Sequence, residues 1–221
     1  MDKLLIQGPS QLSGSVTISR AKNAYLPILA ACLLCDKPLK LKNLPALRDI
    51  QTMLSLLQNL GVRIHRNEEW TTLDAGELTS CSATYDLVKT MRASIFVLGP
   101  LLARKKQAQV ALPGGCAIGT RPIDLHLTNL EKLGAQIEIE EGYVKAYGDQ
   151  LSEGKVAMSF PSVGATENLM MASVFSAGVT IIENAAMEPE VEDLGNFLNA
   201  MGASVQGAGT STIRIKGVKQ L

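Results

Sequence analysis

One stretch of this chain carries most of the residues able to do chemistry. Leu112-Pro113-Gly114-Gly115-Cys116-Ala117-Ile118-Gly119-Thr120-Arg121-Pro122-Ile123-Asp124-Leu125-His126 sets a thiol among three glycines and follows it with a guanidinium and a carboxylate. Glycine costs ordering entropy, so a chain clusters it where the backbone must bend sharply or approach something closely. A cysteine among such residues is held in the open rather than packed into a core. Thr120 or Asp124 suits the cap of a helix starting near Pro122, since proline fits the first turn and a carboxylate its positive end. That helix end, with Arg121, would lower the thiol pKa and receive an anion. A glycine-rich turn with an incidental thiol has the same composition, and composition alone leaves both readings open.

Three other polar stretches open apolar runs: Lys22-Asn23, Lys89-Thr90-Met91-Arg92 and Ser162-Val163-Gly164-Ala165-Thr166. Ordinary capping accounts for Ser162 and Thr166. It accounts poorly for Lys22 and Arg92, because a cation at a helix N-terminus is unfavourable unless an anion offsets it. Cys32-Leu33-Leu34-Cys35 has the spacing of a redox or zinc half-site, but it lies in an apolar run without a partner pair and reads as buried structure. His126 suits a hydrogen bond that orients the loop, or an exposed helix position. His65 and Trp70 are assigned no role, and Met170-Met171 reads as core filling. No metal or cofactor is expected.

The elements that must position these residues repeat. Leu60-Gly61-Val62, Leu133-Gly134-Ala135 and Met201-Gly202-Ala203 each end an amphipathic run (50–60, 125–133 and 191–201) with a C-capping glycine followed by an alternating strand. A second strand closes each unit, at 71–76, 143–148 and 212–217, after a hairpin turn such as Glu140-Glu141-Gly142. Upstream lie a helix (24–35, 92–103, 167–177) and a strand (39–44, 108–112, 179–183). The order strand, helix, strand, helix, strand, strand thus recurs at a period of about 70 residues, too long for a solenoid. The expected fold is a closed α/β (α+β) lobe of three βαβαββ units, about 12–76, 77–148 and 149–217, occupying residues 22–221. Three helix starts meeting at one end would make a positive mouth. Residues 1–21 are expected to be opening strands: residues 4–8 resemble the closing strand of a unit whose earlier part is absent, and residues 12–18 open unit one. More chain is expected to follow Leu221.

Composition narrows the classes. With 46% apolar and only 4% aromatic residues, the core must be aliphatic. Basic and acidic residues balance at 21 each, which argues against binding nucleic acid or a membrane surface through bulk charge. No signal peptide is visible at the start, and no run reaches the roughly 18 apolar residues of a transmembrane helix. Four irregularly spaced cysteines do not read as a disulfide framework, so a reducing cytoplasm is the expected home.

At Ala21-Lys22-Asn23-Ala24, Leu87-Val88-Lys89-Thr90-Met91-Arg92-Ala93-Ser94 and the 112–126 loop, the sequence resembles the UDP-N-acetylglucosamine 1-carboxyvinyltransferases. The resemblance runs along the whole chain. It implies an inverse α/β barrel lobe of the EPSP-synthase type, paired in the family with a second lobe that has no counterpart here. It also implies transfer of enolpyruvyl from phosphoenolpyruvate to the 3-hydroxyl of UDP-N-acetylglucosamine at the start of peptidoglycan synthesis. Cys116 matches the proton donor, which the epoxide fosfomycin alkylates. Lys22, Asn23 and Arg121 match phosphoenolpyruvate contacts, and Arg92 matches a substrate-binding arginine. Arg121, Pro122, Ile123, Asp124 and Leu125 match the nucleotide-sugar loop, with Ser162, Val163 and Gly164 across the pocket. Arg20 and Tyr25 depart from the small residues of many relatives, and Phe160-Pro161 replaces a segment that carries a lysine in some. A lone lobe is expected to be catalytically silent. The alternatives are a nucleotide-sugar-binding lobe without chemistry and a lobe of the shikimate-pathway enolpyruvyl transferase, against which the Gly114-Gly115-Cys116 loop argues.

Overall fold

The computed structural model describes residues 3–89, 91–112 and 123–221. Unit one comprises α1 (Lys22–Ala31) with a 3-10 turn at Cys32–Leu34, β1 (Leu39–Lys42), α2 (Arg48–Asn59), β2 (Arg63–Arg66) and β3 (Trp70–Asp74). Unit two comprises β4 (Ser82–Ala83), α3 (Tyr85–Val88), a 3-10 segment at Arg92–Val97, α4 (Leu98–Lys105), β5 (Gln107–Ala111), α5 (Asp124–Lys132), β6 (Gln136–Glu140) and β7 (Tyr143–Tyr147). Unit three comprises β8 (Gly154–Ala157), α6 (Val163–Ser173), β9 (Val179–Glu183), α7 (Pro189–Met201), β10 (Ser204–Gln206) and β11 (Thr212–Lys216).

Each unit makes its own sheet. Units two and three have the same strand order, β4-β5-β7-β6 and β8-β9-β11-β10, with the first pair parallel and the others antiparallel. Unit one shows the same arrangement without its first strand, β1-β3-β2. The opening segment therefore differs from the sequence expectation. Residues 3–20 form no strand, and Leu5, Leu12, Val16 and Ile18 stand exposed. The alternation at 12–18 gives the segment one apolar face but no ladder, and a strand is stable only when its backbone groups are paired by a neighbour.

The helices sort by pattern. α6 is buried at every position from 165 to 173, and α1 and α4 are buried over 26–31 and 98–103. A helix without a polar face is stable only in an interior. The segment at 92–97 joins α4 to this centre, and α1, that segment and α6 each pack on the other two. α2 and α7 bury one stripe each, Ile50, Met53, Leu54 and Leu57 in the first and Val191, Leu194 and Leu198 in the second. The strands alternate buried with exposed, as in β11, so the sheets form the outer wall. Helices inside and sheets outside make the lobe an inverse barrel. Each fully buried leucine, such as Leu29, Leu57 or Leu101, contributes about 2 kcal/mol.

The repeated helix stops are real. Gly61, Gly134 and Gly202 have φ of +104°, +88° and +109°, a region that costs other residues about 1–2 kcal/mol. Glu141 and Gly142, both at positive φ, form the tight turn between β6 and β7. Arg104 ties two units together: its guanidinium donates to the carbonyls of Leu33, Cys35, Ala75 and Gly76. Cys32 and Cys35 are buried free thiols; the Cys32 Sγ donates to the Ile28 carbonyl, and burial pushes its pKa up.

Candidate functional site

The described site residues fall into two groups. The first lies at the start of α1. Lys22 opens this helix with no side-chain cap at Ala21, so its ammonium sits against the positive end of the helix dipole. The offsetting anion belongs to the chain: Lys22 Nζ lies 2.7 Å from Asp49 Oδ2, in the first turn of α2. The pair is partly exposed. Lys22 and Asn23 line a cavity of about 500 Å³ with Ala21, Ala24, Pro189, Glu190 and Asp193, so the starts of α1 and α7 share one recess. The departure at position 25 is absorbed by the sheet, where the Tyr25 hydroxyl donates to the Lys42 carbonyl at 2.9 Å. Partial burial raises the Tyr25 pKa, Arg20 opposes that shift and Asp193 adds to it.

The second group lies where α5 meets α6. Ile123 precedes α5, Asp124 is its first residue and is exposed, and Leu125 is half-buried. Asp124 is not the cap, contrary to one sequence expectation: Ile123 holds that position, and Asp124 sits inside the first turn, where its charge favours the helix. Ser162 caps α6 by accepting from the Ala165 N–H at 3.4 Å. Thr166 is no cap: it is buried within α6, and its Oγ1 accepts from the Ala186 N–H at 3.1 Å. Gly164 lies against the half-buried His126, since a Cβ on it would stand 3.3 Å from His126 Cε1 and 3.4 Å from Phe96 Cε1. Arg92 is half-buried at the start of its 3-10 segment and acts on the same histidine. Burial first, then the charge of Arg92, pushes the His126 pKa down to about 4. Cys116, Arg121 and Pro122, with Thr120, lie outside the described residues.

Sequence reasoning missed Asp49, Glu167 and Asn168. Asp49 gave no signal, being 27 positions from Lys22. Glu167 and Asn168 gave one, as adjacent polar residues inside an apolar helix. Asn168 is fully buried and completely hydrogen-bonded. Glu167 is buried, and among the described residues its Oε1 has no partner. Burial, then the charges of Glu190 and Glu188, pushes its pKa up to about 9, so it is a neutral acid at pH 7. Among the described residues no three His, Cys, Asp or Glu side chains group as a metal site, and no helix is long and apolar enough to cross a membrane.

This lobe matches solved structures of known fold. The enolpyruvyl transferase NikO from Streptomyces tendae superposes with a TM-score of 0.81 at 23% identity, over 96% of this chain and 50% of that one. The EPSP synthase of Acinetobacter baumannii superposes at 0.74 with 20% identity, over 94% and 48%. The architecture is therefore the EPSP-synthase-like inverse barrel. The sequence agrees and goes further: the model of the EPSP synthase (3-phosphoshikimate 1-carboxyvinyltransferase) family matches residues 6–221, and the chain belongs to that family. The UDP-N-acetylglucosamine 1-carboxyvinyltransferases of Yersinia pestis (strain Pestoides F) and Yersinia pseudotuberculosis serotype O:1b (strain IP 31758) are each 55% identical to it over 222 aligned positions, which take in 100% of this chain and 53% of the relative. The chain spans about half the length of the curated relatives it matches.

Proposed function

We propose that this chain is one lobe of a UDP-N-acetylglucosamine 1-carboxyvinyltransferase, a transferase of cytoplasmic peptidoglycan synthesis, and that it works against a second lobe. The observation that carries this reading is the 55% identity to those enzymes along the entire chain, against 20% to an EPSP synthase of the same fold. The 3-hydroxyl of the sugar gives up its proton to a base on the second lobe and its oxygen bonds to C2 of phosphoenolpyruvate, while the C2–C3 double bond opens and C3 takes a proton. Loss of a C3 proton and of phosphate from the tetrahedral ketal then restores the double bond. Cys116 is the acid at C3, a task that suits a thiol whose pKa lies near the working pH. Lys22, Asn23 and Arg121 hold phosphoenolpyruvate, where fixed cations stabilise charge on the departing phosphate. Arg92 binds substrate. Residues 121–125 and 162–164 form the two arms of the nucleotide-sugar pocket, with Asp124 accepting from the uracil ring. The single lobe at 22–221 divides into three units, with boundaries at about 76 and 148 and the last ending at about 217.

Closing a cleft between lobes excludes water and completes the catalytic set. The lone chain is therefore expected to bind UDP-N-acetylglucosamine in a calorimeter and to release no phosphate when phosphoenolpyruvate is added. Turnover by the chain alone would refute the division of labour between lobes. A nucleotide-sugar-binding lobe without chemistry is the second reading, favoured by the half-length match to the relatives. It predicts the same binding, but no phosphate release even with the complementary half of a relative supplied. Binding of shikimate 3-phosphate in place of the nucleotide sugar would move the assignment to the shikimate-pathway reaction.

A further inference from the structure

The seam between α5 and α6 holds polar groups that the proposed chemistry does not use. Asn168 lies within α6 with no exposed surface. Its Oδ1 accepts from the Gly99 N–H at 2.7 Å, and its Nδ2 donates to the Ile95 carbonyl at 3.0 Å. Both partners are backbone groups of fixed polarity, so the orientation of the amide is not free. The second hydrogen on Nδ2 then meets His126 Nδ1 at 3.1 Å, which obliges that nitrogen to accept. The imidazole is accordingly the neutral tautomer with its proton on Nε2; a second proton on Nδ1 would set donor against donor.

The bond joins two stretches that sequence places far apart. His126 directly follows residues 123–125, and Asn168 lies on the helix that begins with residues 162–164. Gly164 leaves room for the ring edge, since its missing Cβ would come 3.3 Å from His126 Cε1 and 3.5 Å from Nε2. Through Ile95 and Gly99, Asn168 fastens the same seam to the 3-10 segment that begins at Arg92 and to the start of α4.

The geometry points to His126 and Asn168 as positioning residues that hold the two arms of the pocket, 123–125 and 162–164, at a fixed separation for a nucleotide sugar. The inference rests on the pocket assignment made under the proposed function. Preorganising both arms spares the ligand the ordering cost it would otherwise meet on binding. Asparagine at 126 can present an acceptor where Nδ1 stands, whereas phenylalanine fills the ring volume and presents none. The two substitutions therefore separate packing from hydrogen bonding.

The test uses the full chain with His126→Phe and His126→Asn. Amide resonances of 123–125 and 162–164 are followed by NMR, and UDP-N-acetylglucosamine affinity by calorimetry. His126→Phe is expected to shift both sets of amides together and to weaken binding about tenfold, as a pocket free to splay should. His126→Asn is expected to restore both toward wild type, and the wild-type ring nitrogens are expected to report a neutral imidazole protonated on Nε2. Native affinity and unmoved amides in a folded His126→Phe chain would overturn the inference, as would equal damage from both variants or a proton found on Nδ1. If the wild-type chain fails to bind the nucleotide sugar yet the amides of both arms still answer to His126→Phe and recover in His126→Asn, the pocket assignment falls and the coupling stands.

Discussion

The start of α1 and the α5–α6 seam solve one problem, holding polar side chains in place, by opposite means. At α1 two charges meet in partly exposed surroundings, Lys22 with Asp49, beside an open recess. At the seam the groups are neutral, and the fully buried Asn168 is hydrogen-bonded to the half-buried His126, to Gly99 and to Ile95. Water screens the first contact, so an incoming anion can replace it cheaply. The Asn168 side of the second is buried, so solvent competes for it far less, and it fixes distances and resists exchange. The lobe is therefore adjustable where an anionic group is proposed to bind and stiff where a large ligand is proposed to be measured.

Removing the buried amide tests the stiff side most severely. Asn168→Ala strands the Gly99 N–H and His126 Nδ1 and leaves the Ile95 carbonyl with the Leu98 N–H as its remaining donor. At about 1–3 kcal/mol for each buried group left unsatisfied, a loss of roughly 4 kcal/mol is expected in urea unfolding. A loss below about 1 kcal/mol would mean that the seam is no more rigid than the surface pair.

Glu167 is the neighbour of Asn168 and its opposite, a buried acid with one oxygen unpartnered among the described residues. Its pKa in the folded chain, about 9, lies above its ordinary value of 4.5. The native state thus holds its proton while the unfolded chain releases it. The contribution of this group to stability is fully present below about pH 4.5 and declines as pH rises toward 9. At pH 7 the accumulated penalty is about 3 kcal/mol, from the distance between pH 7 and the ordinary value of 4.5. Glu167→Gln keeps the shape without the charge. Unfolding midpoints for this variant are expected to exceed wild type from neutral to alkaline pH and to lose that slope. Parallel pH profiles for the two proteins would show that the carboxyl is not held neutral.

His126 bends the same curve at the acid end. Its folded pKa of about 4 lies below its ordinary value of 6.5, so the unfolded chain takes up a proton first. The stability this group allows is intact above pH 6.5 and is withdrawn as pH falls toward 4, by up to about 3 kcal/mol. Unfolding of His126→Phe is expected to lack this acid limb while keeping the alkaline decline set by Glu167. Retention of the acid limb would place its origin among the carboxylates.

The repeat was legible in the chain because its signals are local. Gly61, Gly134 and Gly202 stop helices through their own backbone freedom, and the all-apolar character of α1 and α6 declares them interior without reference to any partner. The hairpin at Glu141-Gly142 was legible for the same reason. The opening segment misled because alternation at 12–18 encodes a face, whereas a strand also needs an edge to pair with, and that is a property of the surroundings. Lys22 stood out in the sequence as a cation at a helix start in need of an anion, and the anion beside it is Asp49 on another helix. His126 stood open between two roles because its partner, Asn168, lies 42 positions away. Pairings across such distances follow from the packing of α5 on α6, and only the anomaly of Glu167-Asn168 within an apolar helix hinted at them.

The gentlest perturbation bears on the adjustable side. Asp49→Asn removes one charge of a partly exposed pair, which is worth about 0.2–1 kcal/mol, so unfolding midpoints are expected to hardly move. Anion binding should respond in the opposite sense to every substitution at the seam. Lys22 would no longer be engaged by a carboxylate and would stand at the start of α1 with the helix dipole unfavourable to it, so an added phosphate would relieve more charge than in wild type. Calorimetry with inorganic phosphate is expected to show tighter binding to Asp49→Asn than to wild type, by a few-fold, the equivalent of under about 1 kcal/mol. The gain should shrink as sodium chloride is raised, because the contact being replaced is open to counterions. Weaker phosphate binding in Asp49→Asn would reverse the picture: the carboxylate would then be orienting Lys22 for the anion rather than occupying its place, and the α1 recess would be as preorganised as the seam.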